Sequence, residues 1–120
     1  MMGHYGGEHV KAIMHAAENW PRVRGKGSDM QIWAFPEYRA DPENPQRGDH
    51  AGAYETSLMM YLRPELVDLS ELPSEGEVVG TDAGFGIGGE DPRKATAELG
   101  QQIAEAIVQA IVKGVQERLR

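Results

Sequence analysis

The stretch from residue 91 to the end constrains the fold most. Ala104, Ile107, Val108, Ile111, Val115 and Leu119 recur at three- and four-residue spacing, with Gln102, Glu105, Gln109, Lys113 and Gln116 opposite them. Such a pattern is one apolar stripe on an amphipathic helix. Asp91 can cap it and Pro92 suits its first position, so the helix is expected to begin there. Nearly thirty residues would make it about 42 Å long at 1.5 Å per residue, more than a compact domain of this size needs. Part of the stripe is therefore expected to cover something outside this chain.

Upstream, Val10, Ile13, Met14, Ala17 and Trp20 also recur at helical spacing, and Pro21, Gly25 and Gly27 follow. This predicts a first helix over 8–20, ended by the proline. Met30-Gln31-Ile32-Trp33-Ala34-Phe35, bounded by Ser28-Asp29 and Pro36, reads as a strand, and Glu77-Val78-Val79 as a second short one. A second helix is expected over 54–62, closed where Pro64 disfavours helical geometry at Arg63. Residues 39–47 carry two prolines and mixed charge and read as a surface loop.

The chain has 120 residues, enough for a single domain over 1–120. With 19 acidic against 12 basic residues its formal charge is -7, so phosphate backbones and anionic lipid would be repelled and nucleic acid is not an expected partner. It has no cysteine, which excludes a disulfide frame and a thiolate site and leaves His and carboxylates as metal ligands. No apolar run approaches the roughly 18 residues of a membrane span, and the N-terminus has no signal-like apolar segment, so a cytoplasmic protein is expected.

Gly48-Asp49-His50-Ala51-Gly52-Ala53-Tyr54-Glu55 brings an acid, an imidazole and a second acid together with two glycines ahead of an apolar run. Two readings fit this spacing: a general acid or base beside an oxygen ligand, or a glycine-containing turn whose Glu55 merely favours a helix start. His4, in Gly3-His4-Tyr5-Gly6-Gly7, is a candidate of the same kind. His9 and His15 lie six residues apart on different faces of the first helix and cannot chelate one ion together. Gly84-Phe85-Gly86-Ile87-Gly88-Gly89 lacks the Lys-Ser/Thr pair of a phosphate loop and is followed by Glu90 and Asp91, so it reads as a flexible connection. Trp20 and Trp33 read as core or pocket-wall aromatics.

Taken in order, GHYGG, GDHAGAYETSLMMYLRPELVDLS and EDPRKATAELG resemble the C-terminal half of the creatininase family of metal-dependent amidohydrolases. The resemblance spans nearly the whole chain and is strongest in the HAG-x-x-ETS core. It implies an α/β fold, a parallel sheet flanked by helices with a long C-terminal helix, and divalent metals at the carboxyl ends of the strands. By the same resemblance His50 is the catalytic histidine, His4 and Glu55 are metal ligands, and Tyr5, Asp49 and Trp33 contact substrate. The implied cofactor is zinc or manganese, with iron also compatible, and the implied substrate is a small amide or cyclic amide. A metal-bound water beside a proton-carrying histidine would suit that chemistry.

The sequence departs from the family at two places. Some members carry a carboxylate two residues after the first motif histidine, where Gly6 stands here. The family's N-terminal half also supplies an E-x-H pair and a bridging Asp, and no E-x-H occurs in this chain. The expectation is therefore half an active site, completed by a homo-oligomer or by a chain supplying the N-terminal half. The alternative is a non-catalytic remnant or interaction module that retains the C-terminal half of the fold.

Overall fold

The computed structural model describes residues 6–24, 30, 32–39 and 49–119. The chain divides into two units, Met1–Glu37 and Tyr38–Arg120.

In the first unit, helix α1 spans Gly7–Arg24. Val10, Ile13, Met14, Ala17 and Trp20 are partly buried, together with Asn19, whereas Glu8, His9, Lys11, His15 and Glu18 are exposed, much as the 3.6-residue period requires. The helix continues past Pro21, where the sequence predicted its end. A proline withdraws only its own N–H from the ladder and blocks one carbonyl, so downstream residues can still bond four back. Residues 32–36 form no strand, contrary to expectation. Trp33 and Phe35 instead stack on each other, with ring centroids 4.3 Å apart. A strand is defined by a backbone ladder with a neighbour, and the β-bridges seen among the described residues lie elsewhere, at His50–Gly88 and Val79–Ile87. A 3-10 turn follows at Glu37–Arg39.

The second unit is built on helices α2, Ala53–Leu62, and α3, Ala97–Arg118. Its buried core is Ala53, Tyr54, Ser57, Val78, Ile87, Pro92, Ala95 and Ile103. The C-terminal helix does not start at Pro92. Asp91 and Pro92 instead begin a 3-10 turn, Pro92–Lys94, and Ala95 leaves it in extended geometry. Thr96 then caps α3 by accepting a 3.1 Å bond from Leu99 N–H. The 22 residues of α3 make about 33 Å, closer to what a small domain can cover.

Long linker residues between the helices are held by Arg93. Its guanidinium donates to the carbonyls of Pro73 and Gly76, both at 2.8 Å, and to the Asp91 carboxylate. That fork holds the Asp91 carboxyl below the ordinary carboxylate range. The second predicted strand reduces to an isolated bridge between Val79 and Ile87, closed by a 2.8 Å bond from Gly80 N–H to the Ile87 carbonyl. The second unit is thus mainly helical, and no sheet is seen among the described residues.

On α3 the apolar positions divide into two arcs. Gly100, Ile103 and Gly114 are buried, with Ile107 and Ala110 partly so. Val108, Ile111, Val112, Val115 and Leu119 lie about 115° further round the helix and are exposed, from 39% to 82%. Helix spacing alone merged the two arcs into a single stripe, because a stripe of that width satisfies the same three- and four-residue rule.

Candidate functional site

Asp49, His50, Ala51 and Gly52 form a short ridge that leads into α2. Asp49 supplies the cap. Its Oδ2 accepts a 2.7 Å bond from Tyr54 N–H and its Oδ1 a 3.1 Å bond from Glu55 N–H, so one carboxylate satisfies two of the donors that a helix start leaves unpaired. Glu55 reaches back, its Oε2 accepting from Ala51 N–H at 2.8 Å. The two acids therefore form a reciprocal cap of the capping-box type, offset upstream of Gly52.

Between them, His50 is held by its backbone. Its N–H donates to the Gly88 carbonyl at 2.9 Å and its carbonyl accepts from Gly88 N–H at 2.8 Å, an antiparallel bridge. Ala53 N–H donates to the Glu90 carbonyl at 3.0 Å, which ties the next turn to the same strip. Ala51 takes φ +50, and it is the one non-glycine residue with positive φ among those described. A left-handed alanine costs about 1–2 kcal/mol and persists only where its surroundings impose it. The His50 residue is exposed at the crest.

Glycines close the back of the ridge. A Cβ at Gly52 would meet the Asp49 carboxylate, and the Glu90 carbonyl at 2.7 Å. Gly89, at φ +100, lies against the Asp49 Cβ. The segment 84–89, read from sequence as a flexible connection, is in fact the partner of the His50 ridge. Gly88, Gly89 and Glu90 were missed as site-building residues, although a cluster of glycines is the signal that a close backbone approach or a positive φ leaves.

Burial pushes the Asp49 carboxyl up from its ordinary value, outweighing the Tyr54 and Glu55 N–H donors that favour the charged form. Glu55's charge adds to the rise and His50's opposes it.

Of the residues singled out in the sequence, Asp49, His50 and Glu55 are brought together. His4 and Tyr5 lie outside the described residues. Trp33 is half-buried against Phe35 in the first unit. Among the described residues no group of three or more His, Asp or Glu side chains is placed to hold a metal ion. Glu55 already uses one oxygen on Ala51, and the described residues by themselves do not fit a divalent metal centre. No helix among them is long and apolar enough to cross a membrane.

The ridge can present an imidazole at a fixed backbone position beside two carboxylates, a constellation suited to moving a proton. No curated protein and no solved structure matches the chain. The creatininase family model, described as creatinine amidohydrolase, matches residues 1–115, which takes in the His50 ridge, the glycine segment behind it and nearly all of α3. With that match over almost its full length, the chain belongs to the creatininase family.

Proposed function

We propose that this chain serves hydrolysis of an amide or cyclic amide C–N bond, with His50 as the proton carrier. The single observation that carries the reading is the coincidence of the family match with an exposed histidine whose backbone is tied on both sides. In amide hydrolysis the leaving nitrogen must gain a proton as the C–N bond breaks, and an imidazole within hydrogen-bond reach can deliver it. A backbone-anchored crest keeps that imidazole from drifting, which matters because general acid catalysis depends on hydrogen-bond reach.

The reading includes dependence on zinc or manganese, inferred from the family, with His4 and Glu55 as the ligands this chain would offer. Two ligands fall short of the usual four, so the rest would come from a second copy or a chain supplying the N-terminal half. In such an assembly the exposed arc of α3 would cover part of a layered α/β core with a parallel sheet. The cytoplasm is the proposed location.

The test is ring opening of creatinine and ammonia release from simple amides, measured for the chain alone and for the chain combined with a family N-terminal half, with added zinc or manganese. Activity in the combined assembly that falls about 100-fold or more in His50→Ala, with metal content unchanged, supports the reading. Loss of metal in that variant would make His50 a ligand instead. Inactivity of every combination would identify a non-catalytic module.

A further inference from the structure

Three consecutive residues are fastened by three different means. Asp49 is held through its side chain by the N–H groups of Tyr54 and Glu55. His50 is held through its main chain by Gly88. Ala51 is held through its N–H by Glu55, in a left-handed conformation that alanine does not favour. Both Asp49 oxygens thus face the first turn of α2, and the body of its side chain fills the space that Gly52 and Gly89 leave open. A carboxylate whose two oxygens are engaged by backbone donors in a partly buried pocket is poorly placed to grip a substrate. It is well placed to set where the next residue stands.

We propose that Asp49 is a positioning residue for His50, acting through the reciprocal cap with Glu55, rather than a substrate contact. The proposal rests on the reading of His50 as the proton carrier. The physical chain is short. The cap fixes Asp49 relative to the α2 axis, the Glu55 bond fixes Ala51, and the Gly88 bridge has only one residue left to orient. Without the cap, Ala51 would relax toward negative φ and the peptide carrying His50 would rotate away from Gly88. Glycines at 52 and 89 are required because any Cβ there would displace the Asp49 side chain that does this.

The experiment uses the full chain and needs no substrate. Amide hydrogen exchange and the ring carbon–proton resonances of His50 are recorded by NMR for wild type, Asp49→Ala and Asp49→Asn. The expected result for Asp49→Ala is exchange about tenfold or more faster at the His50 and Gly88 amides, with a shifted or broadened His50 ring signal. Protection at Gly100 and Ile103 should be unchanged. Asp49→Asn, which keeps one acceptor oxygen, should fall between the two. Faster exchange confined to Tyr54 and Glu55, with His50 and Gly88 as in wild type, would reduce Asp49 to a helix cap and overturn the proposal. Global unfolding of both variants would overturn it as well, by making Asp49 a residue of the fold as a whole. In the combined, metal-supplied assembly, Asp49→Asn should lower kcat for creatinine and leave KM within about twofold. A raised KM with kcat and the His50 resonances intact would restore the substrate contact. Equal activity of wild type and His50→Ala would remove the proton-carrier reading while leaving the NMR result standing, so the two failures are distinguishable.

Discussion

Gly100 on α3 lies directly against the carbonyl of Ser57 on α2, so closely that a Cβ on Gly100 would overlap the Ser57 carbonyl oxygen and come within 2.9 Å of the Tyr61 Cβ. The same crossing is pinned by Thr96 N–H, which donates to the buried Ser57 hydroxyl at 3.1 Å. Two opposed effects meet at this glycine. Alanine would gain about 1 kcal/mol of helix propensity, whereas overpacking against backbone costs about 1–3 kcal/mol. The obstructing atoms belong to a helix main chain that cannot move alone, so the clash wins. Gly100→Ala is expected to lower the urea midpoint, with a net loss of up to about 2 kcal/mol. A raised midpoint would mean that the helices cross further apart.

Ala51 stores strain that glycine would release. Ala51→Gly should raise unfolding free energy by about 1 kcal/mol, the usual cost of a left-handed alanine less the extra freedom of glycine in the unfolded chain. Thermal melting checks it. A lower melting temperature would show that Ala51 has an ordinary negative φ.

Acid stability should carry two opposite contributions. The Asp91 carboxyl is held below its ordinary value of 3.8 by its hydrogen bonds to Arg93. Its stabilising effect is therefore complete above pH 3.8 and is lost as pH falls through the lower folded value. Burial raises the Asp49 carboxyl above 3.8, so its contribution is present below that pH and is lost as pH rises through the raised value. Denaturation midpoints between pH 2 and 6 should accordingly show a smaller acid-side fall in Asp91→Asn than in wild type. Asp49→Asn should show a steeper rise in stability with pH than wild type, apart from its overall loss. Parallel curves for all three proteins would contradict both assignments.

The exposed arc of α3 should drive association. Val108, Val112, Val115 and Leu119 remain open together with Leu62 and Leu66, and apolar surface of that extent usually marks an interface. Sedimentation at micromolar concentration is expected to show a dimer or larger species, shifted toward monomer by Val108→Lys with Val112→Lys. A wild-type monomer with low dye binding would show that this face tolerates water.

The three helices were legible because their signals are local. Apolar spacing in α1 and α3 and the short apolar run before Pro64 depend on side chains a few positions apart, and each helix was placed to within a few residues at most boundaries. The start of α3 was misplaced. Asp91-Pro92 and Thr96 both carry capping chemistry, and only the extended geometry at Ala95 decides that the second one opens the helix. The site was partly legible: the sequence gathered Asp49, His50 and Glu55 into one candidate cluster.

By itself the sequence determined the family, through motifs spanning residues 1–115, and the helical stripes, because both are encoded in near neighbours along the chain. Tertiary structure decided what those residues do. It laid Gly88 beside His50 across 38 positions of chain, turned both Asp49 oxygens onto α2 rather than outward, and chose the arc of α3 to bury. Those outcomes turn on non-local backbone approach, permitted by the missing Cβ atoms of Gly52, Gly89 and Gly100. A glycine states only that something can come close, and the fold determines what does.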